Sequence, residues 1–146
     1  MGRLYDSFIG AKPIAVIGAS DNPRNFGAVI YRTLRDKGYG VYAVNPNVST
    51  VAGDPSYDSV ETIPAEVSSA IIAVSPKVAE SLIESLSTAG VKKIWFQRGA
   101  DYRKAAAYAR DVGMEAFEGR CILMHTDSVN GIHAVHRFLV RLTGNL

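Results

Sequence analysis

One cysteine, one tryptophan and no apolar run longer than five residues define what this chain of 146 residues does without. The single thiol, Cys121, excludes an internal disulfide and any zinc site built on several cysteines, and it suits a reducing cytoplasm. A membrane helix needs ~18 apolar residues in succession, so no bilayer partner is expected. The first residues have no signal-peptide core, and Asp6 stands where a myristoylation motif wants Ser or Thr. Charge of one sign is scarce too. Sixteen basic against fourteen acidic residues leave +2, too little to point to nucleic acid.

What is present is apolar material for one core, 47% of the chain, and the length suits a single domain over residues 1–146. Three places share a local grammar in which an amphipathic stretch ends at Gly and a strand-like run begins at once. They are Lys37-Gly38-Tyr39, Ala89-Gly90-Val91 and Val112-Gly113-Met114. Each reads as a helix end feeding a strand through a very short loop, which is the pattern of parallel βαβ units. Strands are expected at 13–17, 41–44, 70–74 and 93–96, continuous apolar runs suited to burial on both faces, with a weaker fifth at 115–118. Helices are expected over about 25–37, 76–89 and 101–112. In the second, Ser75 is placed to cap and Pro76 to fill the first turn, while Val78, Leu82, Leu86 and Ala89 line one face. In the third, Tyr102, Ala105, Ala106, Ala109 and Val112 do so. Residues 46–69 read as a loop with one short strand near Tyr57, because Pro46, Gly53, Pro55 and Pro64 interrupt anything longer. Ile132, Val135, Leu139 and Leu142 then predict a final helix. The fold class is therefore α/β, a Rossmann-like, doubly wound, mostly parallel five-stranded sheet with helices on both faces and an extra C-terminal helix.

In such a sheet the ligand crevice lies beyond the carboxyl ends of the strands, where strand order reverses. The turn after the first strand, Gly18-Ala19-Ser20-Asp21-Asn22-Pro23-Arg24-Asn25, is rich in small and turn-forming residues. It suits a phosphate cradle at a helix N-terminus, and equally an ordinary βα turn that needs Gly18 for its backbone angles. The dinucleotide fingerprint G-x-G-x-x-G is missing, since Ser20 takes the place of its second Gly. After the second strand, where NAD-binding domains carry an acid for the ribose, this chain has Asn45-Pro46. NAD is disfavoured on both counts, and the NTPase phosphate loop is absent.

Val16-Ile17-Gly18-Ala19-Ser20 with Asn22-Pro23, Val44-Asn45-Pro46, Val74-Ser75-Pro76, Trp95-Phe96-Gln97-Arg98-Gly99 and Arg120-Cys121 follow the strands in order over residues 8–124. In these pieces the chain resembles stand-alone coenzyme A-binding proteins and the N-terminal domain of the succinyl-CoA synthetase α subunit. The resemblance implies coenzyme A as cofactor, with Gly18, Ala19 and Ser20 at its pyrophosphate, Asn22 among its contacts, and Asn45 and Pro46 beside the adenosine. Ser75, Pro76, Gln97 and Gly99 would line the rest of the nucleotide and the pantetheine arm. Arg24 and Lys77 are the nearest cations for phosphates, with solvated surface charge as the alternative for each. The synthetases' second domain, with its phosphorylated histidine, and their nucleotide-binding partner subunit have no counterpart in 146 residues.

No catalytic constellation stands out. A nucleophile elbow is absent, and the spacing of Cys121, His125, His133 and His136 matches no standard zinc site. Cys121 reads as a small buried residue or, beside Arg120, as a thiolate able to form a mixed disulfide with the CoA thiol. The expected function is non-catalytic binding of coenzyme A or a short acyl-CoA, as a carrier or redox-linked sensor. A CoA-dependent acyl transferase or a nucleotide-dependent oxidoreductase is the alternative. The expected partner is a small nucleotide ligand, and the last helix with the edge strand near Glu115 suggests a homodimer.

Overall fold

The computed structural model of the chain describes Phe8 and residues 13–122. The expected C-terminal helix and the three histidines lie outside the described residues. Strands β1 (Ile14–Ile17), β2 (Val41–Val44), β3 (Thr50–Val51), β4 (Asp54–Tyr57), β5 (Ser69–Ile72), β6 (Lys93–Gln97) and β7 (Glu115–Arg120) form one sheet in the order β3-β4-β2-β1-β5-β6-β7. All neighbours are parallel except β3 and β4. The sheet thus has seven strands rather than five. The two extra strands are the short 50–57 hairpin, of which the sequence shows only the end near Tyr57. Pro55 lies inside it, and only Ser56 and Tyr57 pair with β2, so neither length nor alternation marks it.

Helices α1 (Phe26–Asp36), α2 (Pro76–Thr88) and α3 (Arg103–Asp111) connect the parallel strands. The chain runs from β1 through α1 to β2 on one side of β1, then returns to β5 on its other side and continues through β6 to β7. Right-handed crossovers in opposite directions put α1 on one face and α2 with α3 on the other. Two cores result. Ile14, Val16, Ala43 and Ile71 pack with Val29, Ile30 and Leu34 of α1. Ala15, Ile17, Ala70, Ile72 and Phe96 pack with Ala79, Ile83, Ala105 and Ala109 of α2 and α3.

Local signals hold where chemistry is local. Asn25 caps α1, its side chain accepting from the Gly27 N–H, and Ser75 caps α2 with Pro76 in the first turn. Gly38, Gly90 and Gly113 close the three helices at φ of +90°, +97° and +92°. Two helix faces differ from the expectation. On α2 the residues buried against the sheet are Ala79, Ile83 and Leu86, whereas Val78 is 46% exposed and Leu82 and Ala89 are half-buried. On the α3 side Val112 is exposed, because it lies past the last helical turn, before Gly113.

Candidate functional site

The point where strand order reverses lies between β1 and β5. A crevice of about 600 Å³ opens beside it, within the range of small-molecule sites. Its floor is Ile17, Gly18, Ala73 and Val74 at the ends of the two strands, and α2 forms one wall with Val78, Leu82 and Ser85. Asn45, Pro46 and Asn47 after β2, and Asp58 to Glu61 around a short 3-10 turn at Val60–Thr62, form the other. The stripe Val78, Leu82, Leu86 and Ala89 is a real apolar face, but it lines this crevice.

Backbone packing decides which residues the floor tolerates. Gly18 has φ +95°, and a Cβ there would lie 2.7 Å from the Ala73 carbonyl oxygen. A Cβ on Gly27 would lie 2.1 Å from the Gly18 oxygen. The start of α1 is thereby pressed onto the end of β1, as glycine permits in nucleotide-binding turns. Gly27 carries no separate expectation in the sequence; its spacing of nine from Gly18 becomes meaningful only once the turn between them closes.

That turn is held by its own oxygens. Ser20 Oγ accepts from the Asn22 N–H at 2.9 Å, Asn22 Oδ1 from Arg24 at 3.0 Å and Asn25 Oδ1 from Gly27 at 2.7 Å. Asn45 is engaged at both ends of its amide: Nδ2 donates to the Ala19 carbonyl and Oδ1 accepts from Asn47, each at 2.9 Å. An aspartate at 45 could not make the first bond, which is a structural reason for Asn at this position. Tyr102 reaches from the start of α3 to donate its hydroxyl to the Val74 carbonyl, fixing the far lip, and burial raises its pKa. Phe96 packs on its ring.

The structure therefore brings together Gly18, Asn45, Pro46 and Ser75, with Asn25, in one crevice. Ala19 is buried and joins through its carbonyl, while Ser20, Asn22 and the exposed Arg24 belong to the turn above. The other residues lie elsewhere. Pro76 and Lys77 line a separate depression with Glu80, Asp101, Arg103 and Lys104 between the starts of α2 and α3. Gln97 is 5% exposed, and its Oε1 accepts from the Ile122 N–H at 3.1 Å, tying the end of β7 to β6. Gly99 is exposed with φ +120°, and Cys121 is half-buried against the core on the α1 face. Sequence reasoning missed Asp58 and Glu61, which bring carboxylates to a crevice whose second strand ends without one. They lie in the irregular 46–69 segment, where no periodicity points to a face. Among the described residues no cluster of His, Cys, Asp and Glu suits a metal, and no helix is long and apolar enough to cross a membrane.

Comparison with known proteins agrees with this fold. The α subunit of an ADP-forming acetate–CoA ligase II from Pyrococcus furiosus is 37% identical over 92 residues, covering 62% of this chain and 20% of the subunit. The chain spans about a fifth of the length of such curated relatives. A solved conserved hypothetical protein from the same organism is 38% identical with a TM-score of 0.72, covering 77% of this chain and 97% of its own. A hypothetical protein from Pyrococcus horikoshii superimposes with a TM-score of 0.77 at 28% identity, over 95% of this chain and 92% of its own. The family model described as CoA binding domain matches residues 12–127, and the chain belongs to that CoA-binding family.

Proposed function

We propose that this chain binds coenzyme A or a short acyl-CoA reversibly, as a carrier or sensor, without acting on it. The observation that carries the reading is the contact of Gly18 with Gly27, which sets the α1 N-terminus directly against the crevice at the β1/β5 reversal. Unpaired amides and a positive dipole end at such a place suit a diphosphate. The turn's own oxygens occupy the amides of Asn22, Arg24, Asn25 and Gly27, and among the described residues those of Ala19, Ser20, Asp21 and Phe26 have no partner and face no competitor for phosphate oxygens. The apolar wall of Val78 and Leu82 suits the base or the pantetheine arm. Bound CoA would supply a thiol that carries acyl groups.

The non-catalytic part rests on the commitment of the polar side chains around the diphosphate end. Ser20, Asn22, Asn25, Asn45 and Ser75 each use an oxygen to hold backbone. A group already bonded to main chain is poorly placed to act as nucleophile or base. Cys121, on the α1 face, gives the redox-linked version of the reading less support than the crevice gives the carrier. Calorimetric titration with CoA, acetyl-CoA and NAD tests the proposal. Micromolar binding of the first two, with recovery of acetyl-CoA unchanged after incubation, is the expected result. NAD binding as tightly as CoA, or turnover of acetyl-CoA, overturns it.

A further inference from the structure

An aspartate in a turn that receives a diphosphate brings one negative charge against others, and Asp21 stands in that turn. Its carboxylate is already engaged. Oδ1 accepts from the Ala52 N–H at 2.8 Å and from Arg32 Nη2 of α1 at 2.9 Å. Ala52 is the turn of the β3–β4 hairpin and, among the described residues, the one non-glycine residue with positive φ, +54°. Such a conformation costs about 1 kcal/mol or more and persists where the surroundings over-determine it.

The surroundings of Ala52 do so. Val51 before it is fully buried in the α1-face core. Asp54 after it accepts from the Tyr31 hydroxyl at 2.8 Å and from Arg35 Nε at 2.6 Å, both on α1. Two residues before Asp21, the Ala19 carbonyl is held by Asn45 at the base of the same segment. The turn between β1 and α1 is thus held from outside at residues 19 and 21, and both holds run to the stretch from β2 to β4.

Resting on the CoA-binding reading above, we propose that Asp21 is a positioning residue. With Arg32 neutralising its charge, it clamps the diphosphate-binding turn to the Ala52 amide of the hairpin, so that the 50–57 hairpin sets the shape of the anion site without touching the ligand. Two consequences separate this from a general contribution to folding. Loss of the oxygen that accepts from Ala52 acts on ligands that carry a diphosphate and spares those that lack one. An asparagine, whose Oδ1 still accepts from Ala52, restores what alanine loses.

The experiment is titration of wild type, Asp21→Ala and Asp21→Asn with CoA and with adenosine, thermal unfolding being followed for each. The expected result is about tenfold weaker CoA binding by Asp21→Ala, the loss that goes with a hydrogen bond to a charged group, with adenosine affinity unchanged and CoA binding close to wild type in Asp21→Asn. Equal weakening of CoA and adenosine, or undiminished CoA binding by Asp21→Ala, overturns the clamp. Should Asp21→Ala not fold, amide exchange in the wild type decides: saturation with CoA slows exchange at Ala52 and saturation with adenosine does not, whereas no slowing by CoA overturns it. A wild type that binds no CoA overturns the functional reading itself, and the clamp with it.

Discussion

The two ends of the sheet are held together by different forces. At the β2–β4–β3 end, short irregular pieces are fastened by polar ties: Asn45 to Ala19, Asp21 to Ala52, and Asp54 to Tyr31 and Arg35. At the β6–β7 end aromatic packing fills the interior, with the Gln97–Ile122 and Arg110–Glu118 bonds beside it. Trp95 stacks on Phe117 at 5.3 Å, and Phe8 meets both rings edge-on at 5.5 and 5.9 Å. The polar end borders the crevice, and the aromatic end begins at β6, the next strand beyond β5. Directional bonds fix the placement of individual amides, which an anion site needs, whereas area burial stabilises a sheet with little regard to where any one atom lies. Stability and ligand placement are therefore expected to separate along the sheet.

The largest effect should come from the aromatic end. Trp95 is fully buried, and Trp95→Ala is expected to cost about 3–5 kcal/mol of stability, seen as a lower denaturant midpoint. Below the unfolding transition its CoA affinity should equal that of the wild type. A variant that stays folded but loses CoA would show that the two ends are coupled. At the polar end the expected pattern is reversed. Arg24→Ala, in the turn above the crevice and exposed, should weaken CoA by about 1–3 kcal/mol in calorimetry while leaving the unfolding midpoint alone. An unchanged dissociation constant would return Arg24 to solvated surface charge.

The same division explains what the sequence makes legible. The aromatic end and the parallel strands were readable because burial on both faces demands continuous apolar runs such as Ala70 to Ile72 and Ile94 to Phe96, and helix ends demand Gly. Of the crevice's lining, Gly18, Asn45 and Ser75 were readable, since fold class alone places the crevice at strand ends. The 50–57 hairpin, Asp58 and Glu61 were not. The hairpin is tied by bonds between residues far apart in the chain, such as Asp21 and Ala52, 31 apart, and a tie of that kind leaves no periodicity. Val78 and Leu82 carry a further lesson. An apolar helical stripe predicts a buried face without saying whether core or ligand buries it.

A smaller effect, and one that depends on pH, is expected where Tyr31 meets Asp54. Burial and the bond to Asp54 push the Tyr31 hydroxyl well above its usual range, and the bond from Tyr31, then Arg35, holds the Asp54 carboxyl below its ordinary value. A depressed carboxyl adds stability above its unfolded pKa, about 4, and loses it as pH falls through the folded value; a raised phenol adds stability below about pH 10 and loses it as pH rises. Tyr31→Phe should therefore cost about 1 kcal/mol at neutral pH and flatten the stability profile on both the acid and the alkaline side. A profile parallel to wild type would mean that the Tyr31–Asp54 bond contributes nothing in solution.

Cys121 should give the smallest effect, and it tests the separation of the two ends most directly. It follows β7 and packs half-buried against the core on the α1 face, whereas the crevice opens between α2 and the segment after β2. Under reducing conditions Cys121→Ser should leave CoA affinity and the unfolding midpoint unchanged, because a half-buried thiol exchanged for a hydroxyl loses little packing. Incubation with CoA disulfide supplies the oxidant that a mixed disulfide needs. The Cys121 thiolate would attack one sulfur, form the protein–CoA bond and release the other CoA as its thiol. If the aromatic end stands apart from the ligand, intact mass after this treatment equals that of the untreated chain. A gain of one CoA per chain, reversed by reductant, absent from Cys121→Ser and far exceeding the gain from glutathione disulfide under the same conditions, would show the thiol of bound CoA reaching across the carboxyl ends of the strands to β7. The two ends would then share one ligand, and binding would become redox-dependent through a residue outside the crevice.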